Sequence, residues 1–137
     1  MIAGCASAPL TGYISRVDHP YDRKFYASFE KVTSSFMYVL KKQGWRIGEE
    51  SDPAIYEQDA RYENNGYQNL VIITLPRKNL LHVTSAHLNV FIHSLYNTCD
   101  VEVRYEADTS LIKQISSTRG DQIAQRVLDA VEQEINQ

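Results

Sequence analysis

The sequence predicts an α+β fold: a helix, an antiparallel four- to five-stranded meander and a C-terminal helix, with both helices on one face of the sheet. Three observations predict it. Phe25, Phe29, Val32, Phe36 and Leu40 recur at steps of four, three, four and four, one apolar stripe at the helical period. Val101, Val103 and Tyr105 alternate with Glu102, Arg104 and Glu106, the period-two pattern of a strand with one face in water. Ile123, Val127, Ala130 or Val131, and Ile135 supply a second helical stripe near the end. The 137 residues, 43% of them hydrophobic, suit one domain with one core.

The elements follow in order. Residues 1–20 read as a leader and flexible tether, with some strand character at Tyr13–Val17 that makes it a candidate first edge strand. His19-Pro20 blocks a helix there, because the residue before proline avoids the α region. The single α+β domain spans 21–137. Its first helix is expected from Asp22, a capping and dipole-compatible residue, to about Gln43. Lys41 and Lys42 complement its C-terminus, and Gly44 sits at C′.

Trp45-Arg46-Ile47 begins an extended segment, and Glu49–Pro53 is a polar break. Ala54–Tyr62 reads as a strand that turns its charged set, Glu57, Asp59 and Arg61, to water. Asn64-Asn65-Gly66 then closes a hairpin, since these residues tolerate positive φ. Tyr67–Leu75 returns as a β-branched strand, and Pro76–Asn79 turns. Leu80–Leu95 is too long for one flat strand. A bulge near Thr84-Ser85 would put Ala86, Leu88, Val90 and Ile92 on one inward face. Asn97–Asp100 turns into the Val101–Glu106 strand. Thr118 and Asp121 resemble a capping box at the start of the last helix.

Composition narrows the function. The net charge of −3 provides no global basic field to draw the chain to DNA, RNA or anionic lipid. The basic pairs Lys41-Lys42 and Arg77-Lys78 read as a solvated helix end and a turn. No run approaches the ~18 apolar residues of a membrane span. His82, His87 and His93 fall in one long strand, with His87 and His93 ~20 Å apart at ~3.3 Å per residue, so no ion bridges them. Glu102 and Glu106 are ~13 Å apart on one outer face, too far for paired-carboxylate hydrolysis. Neither a Gly-x-Ser-x-Gly elbow nor a glycine-rich phosphate loop occurs. No cofactor, metal site or catalytic residue is expected, and the chain reads as a non-enzyme.

The nine tyrosines suit a binding face, because each offers rigid area and a polar tip. His87, Asn89, Phe91 and His93 form a mixed outward stripe. With Tyr56 and Tyr62 they make the candidate binding surface, and an outward Phe91 hints at a partner. Cys99, in a turn, is expected to be an inert, partly buried thiol.

The leader carries a resemblance. Ile2-Ala3-Gly4-Cys5 resembles the lipobox of bacterial lipoproteins: an aliphatic residue, two small residues, then cysteine. Ala6-Ser7-Ala8-Pro9 looks like the tether that follows such a box. A charged start and an apolar stretch normally precede it, and here only Met1 does. The resemblance, to small envelope lipoproteins, implies a lipid on Cys5 as the attachment to the membrane. Ala6, not aspartate, then implies the outer membrane, with the domain facing the periplasm. The implied role is non-catalytic binding or assembly with an envelope protein partner. Two alternatives stand beside it. One is a small apolar-ligand module using a helix–sheet groove between Phe36, Leu40 and the sheet. The other is a cytosolic domain with an accidental lipobox.

Overall fold

In the computed structural model the structure describes residues 12–16, 21–63, 67–78, 84–109 and 113–137. Strand β1 (Tyr21–Phe25) leads into helix α1 (Phe29–Lys42) and strand β2 (Ile47–Ser51). Two single-turn 3-10 helices follow, Pro53–Ile55 and Ala60–Tyr62. Strands β3 (Asn69–Thr74), β4 (Arg77–Lys78), β5 (Thr84–Ser94) and β6 (Cys99–Thr109) precede helix α2 (Lys113–Ile135). The sheet is antiparallel in the order β1-β6-β5-β3-β2, with β4 paired to β5. The α+β class therefore holds. The meander runs from β2 to β6, and β1 extends it beyond β6.

Strand β1 corrects the expected helix start. Tyr21, Arg23 and Phe25 turn inward while Asp22 and Lys24 stay exposed, and the five residues pair with Cys99–Val103. The helix begins only after Ser28, whose hydroxyl accepts from the Lys31 N–H at 3.2 Å. Phe25 nevertheless continues the stripe in space, edge-on to Phe36 at 5.7 Å. That is why a step of four hid the strand–helix boundary. Replacing Ser28 with alanine removes the acceptor and is expected to cost about 1 kcal/mol in urea denaturation.

The C-terminal end of α1 is as expected. Gly44 has φ +91°, Trp45 N–H donates to the Leu40 carbonyl at 2.9 Å, and Gly44 N–H donates to Lys41 at 3.1 Å. This is the Schellman pairing that satisfies orphan helix carbonyls. At the other terminus α2 starts at Lys113, five residues before the Thr118–Asp121 pattern, which therefore lies inside the helix. No glycine or proline between Lys113 and Arg119 stops the helix from extending back.

Val32, Phe36, Val39 and Leu40 of α1 share one core with Ala124, Val127, Leu128 and Val131 of α2. The sheet contributes Ile72, Leu88, Val90, Ile92, Val101 and Val103 to the same core. The inward set predicted for β5 is thus correct, though the register with β6 runs from Thr84 to Ser94 without a bulge at Thr84-Ser85. Gly120 marks where α2 presses closest. A Cβ there would lie 2.6 Å from Cδ1 of the Tyr105 ring. Gly120→Ala gains helix propensity, but overpacking against a rigid ring outweighs it. The expected outcome is a net loss of about 1–2 kcal/mol in denaturant titration.

Candidate functional site

The opposite face of the sheet departs most from expectation. Alternation along β3, β5 and β6 aims Val71, Ile73, Asn89, Phe91, Glu102 and Arg104 away from the helices, and all six are buried. Two segments cover them. Gly12–Arg16 lies across the face as an extended strap outside the strand ladder, and the segment carrying the 3-10 turns packs beside it. Gly12–Arg16 is therefore neither tether nor edge strand. Ala54–Tyr62 is not a strand, and the predicted turn Asn64-Asn65-Gly66 lies outside the described residues.

Proline and aspartate shape the cover. Pro53 opens the first turn, and the carboxylates of Asp52 and Asp59 accept from the backbone N–H of Ala54 and Arg61, both at 3.0 Å. Such local bonds favour turns over strand pairing. Tyr62 then reaches inward, 5% exposed, to stack with Phe91 at 6.3 Å, while Tyr13 of the strap stacks on Tyr56 at 4.8 Å.

Polar side chains fasten the cover. The Ile14 N–H donates to Asn89 Oδ1 at 2.7 Å, and Asn89 Nδ2 donates to the Gly12 carbonyl at 3.0 Å. Nε2 of His87 reaches the same carbonyl at 2.9 Å. Arg104, fully buried, donates to Glu102 at 2.5 Å, to the Ile14 carbonyl at 2.8 Å and to Glu57, and lies over the Phe91 ring. Burial alone would weaken its charge, but bonds to Glu57 and Glu102 more than offset that and hold it protonated. Burial raises the Glu57 carboxyl, and the bonds from Arg104 and Tyr13 pull it below its ordinary value. The Arg61 guanidinium holds Asp59 well below the usual carboxylate range, and Arg16 adds to this at 2.5 Å. These carboxylates, expected in water, instead serve as ionised acceptors that clamp the cover down.

Beside the cover lies a cleft of about 300 Å³. Tyr62 and Phe91 contribute its apolar wall. Lys24, Arg61, His93, Asp22, Asp100 and Glu102 supply the rest of its lining. Lys24 and Asp100 pair across β1 and β6 at 3.9 Å, both about half exposed. Nδ1 of His93 donates to Asn69 at 2.5 Å, and burial together with Arg61 lowers the His93 pKa. Both favour the neutral imidazole. Charges of both signs around a small aromatic wall suit a polar segment more than an apolar molecule.

The predicted surface residues thus divide. His93, Phe91 and Tyr62 reach the cleft. Asn89 and His87 hold the strap, Tyr56 supports it, and Cys5 lies outside the described residues. An outward, exposed stripe is not what they form. Lys24, Arg61, Asp22 and Asp100 were missed because each reads singly as solvated charge. The unbroken run Leu70–Ile73 was the available signal, since a strand covered on both faces loses its alternation.

Burial also sets an alkaline limit. It raises Tyr62 from 10.0 to about 12, and raises Cys99, which opens β6 and is fully buried where the sequence suggested partial burial in a turn, from 9.0 to about 11. Above pH 9 the unfolded chain releases these protons while the folded chain keeps them, so stability falls. Tyr62 alone is expected to remove on the order of 2 kcal/mol by pH 12. Urea midpoints measured from pH 8 upward, with tyrosinate absorbance, test this.

Among the described residues no group of three His, Cys, Asp or Glu side chains is placed to hold a metal ion, and no helix is long and apolar enough to cross a membrane. Comparison of the sequence with protein-family models and with curated proteins finds no match.

Proposed function

We propose that this chain is a lipid-anchored, non-catalytic binding protein of the bacterial envelope, attached through Cys5 to the outer membrane and facing the periplasm. It holds an envelope protein partner at the cleft between β1, β6 and Tyr62. One observation carries the reading. The Ile2-Ala3-Gly4-Cys5 box stands seven positions before Gly12, where the strap is already fastened to the sheet. Seven residues span at most ~25 Å, so a lipid on Cys5 keeps the domain beside the bilayer.

The chemistry of the covered face supports binding over catalysis. Arginines hold the Glu57 and Asp59 carboxyls below their ordinary values, which suits clamping and not proton transfer near neutrality. The filled helix–sheet core, in which Phe36 and Leu40 have no exposed surface, argues against an apolar-ligand groove there.

The anchor is tested by metabolic labelling with palmitate in a bacterial host, using the native upstream coding sequence. Label and membrane fractionation should both be lost on Cys5→Ser. An unlabelled wild-type chain sinks the reading and favours a cytosolic domain with an accidental lipobox. For the cleft, a photo-crosslinker at position 24 should give a discrete envelope-protein adduct that Arg61→Glu abolishes. A crosslinker at Lys31, exposed on α1, should not give it. Identical adducts at both positions would reject the cleft.

A further inference from the structure

The cations of this acidic chain are unevenly used. Arg16, Arg23, Lys24, Arg61 and Arg104 each lie within 4.0 Å of a carboxylate. Lys41, Lys42, Arg46 and Arg77 are exposed and form no ion pair among the described residues. The fold gathers these four at one corner. Arg77 Nη1 donates to the Gln43 carbonyl at 2.9 Å, and its guanidinium lies 3.7 Å from the centre of the Trp45 ring. The β3–β4 turn is thereby pinned to the end of α1. Leu75 N–H donates to the Arg46 carbonyl at 2.8 Å, closing the corner from the other side. Lys41-Lys42 and Arg77, which read separately as a helix end and a turn, belong to one surface.

That corner also carries exposed apolar groups. Leu75 is 40% exposed, Pro76 beside it is exposed, and Tyr38, 50% exposed, lies under the Lys42 ammonium at 5.6 Å. Glu49 and Glu50 flank the corner on β2, two carboxylates against its four cations. Positive charge dominates, around an aliphatic turn and an amphipathic ring, as on proteins that rest at a membrane interface.

The strap, on the other face of the sheet, comes close to this corner at Gly12. A Cβ on Gly12 would lie 3.9 Å from the Thr74 carbonyl oxygen, one residue before Leu75. Gly12, seven positions after Cys5 in the sequence, thus lies close to the turn that carries Leu75 and Arg77. We propose that the corner formed by Lys41, Lys42, Arg46, Leu75 and Arg77 docks on the anionic phosphate surface of the bilayer that holds Cys5. This rests on the lipid-anchor reading and adds an orientation to it. Screening confines such attraction to about 10 Å, so a ~25 Å tether leaves the corner able to engage or release.

The test uses the full chain carrying Cys5→Ser, so that no lipid contributes. Its partition onto phosphatidylcholine vesicles is measured with and without a third of phosphatidylglycerol. Binding is expected with phosphatidylglycerol at low salt, with release at high salt. Each cation at an anionic surface contributes about fivefold, so Lys42→Glu with Arg46→Glu should weaken partition at least tenfold. Lys31→Glu, exposed at the opposite end of α1, should have no such effect. Equal partition onto both vesicle types, or a double variant that binds like its parent, overturns the proposal. The anchor is read separately by palmitate labelling. Labelled Cys5 with no phosphatidylglycerol preference rejects the corner and keeps the anchor, and the reverse result keeps the corner and rejects the anchor.

Discussion

Arg104→Ala is expected to cost the fold about 3–5 kcal/mol, a large share of a small domain's stability. The guanidinium has no solvent-exposed surface and holds Glu102 and Glu57 from two different segments. Truncation leaves both carboxylates buried beside an empty volume, and it orphans the Ile14 carbonyl. Lysine should not rescue it, because one ammonium cannot reproduce the planar fork that bonds two carboxylates and lies over Phe91. Urea denaturation of the wild type, Arg104→Ala and Arg104→Lys gives the ordering. A loss below about 1 kcal/mol for the alanine variant would mean that the buried pairs contribute no more than exposed ones do.

Asn89→Ala is expected to cost about 2–4 kcal/mol, and its signature is local. Both ends of this amide bond the strap, and the Ile14 N–H they satisfy is buried with its residue 3% exposed. A buried N–H left without an acceptor costs about 1–3 kcal/mol, to which the lost Gly12 bond adds. The sheet and helices keep their own hydrogen bonds, so far-UV circular dichroism should hardly change. Amide exchange at Ile14 should accelerate far more than exchange at Val90, whose residue lies in the other core. Equal acceleration at both would show that the strap opens only with the whole domain.

The helical side of the molecule was legible in the sequence because each signal there is periodic and local. Val32, Phe36 and Leu40 mark a helix face whatever lies beyond it, and Gly44 marks the helix end by backbone sterics alone. The strap side was not legible for the opposite reason. Burial of Glu102 and Arg104 depends on partners at Glu57 and Ile14, far away in the chain, and a charged residue on a strand reads as solvated until those partners are known. The alternation in Val101–Glu106 gave the correct strand and the wrong environment for its polar half. At Ala54–Tyr62 it gave neither, because Pro53 and the two aspartates impose turns whose side chains alternate by coincidence.

The strap has a consequence for the order of events in folding. Its bonds join residues 75, 77 and 90 positions apart. Gly12–Arg16 is synthesised early, yet it has nowhere to dock until β5 and β6 have emerged and paired. Contacts of such long sequence separation are closed late, because the loop entropy must be offset by structure already formed. During that interval Phe91 and Ile73 are an uncovered apolar surface on a sheet whose edges are also open. A chaperone or the final partner would find its best opportunity in that window, and the docking of five residues ends it.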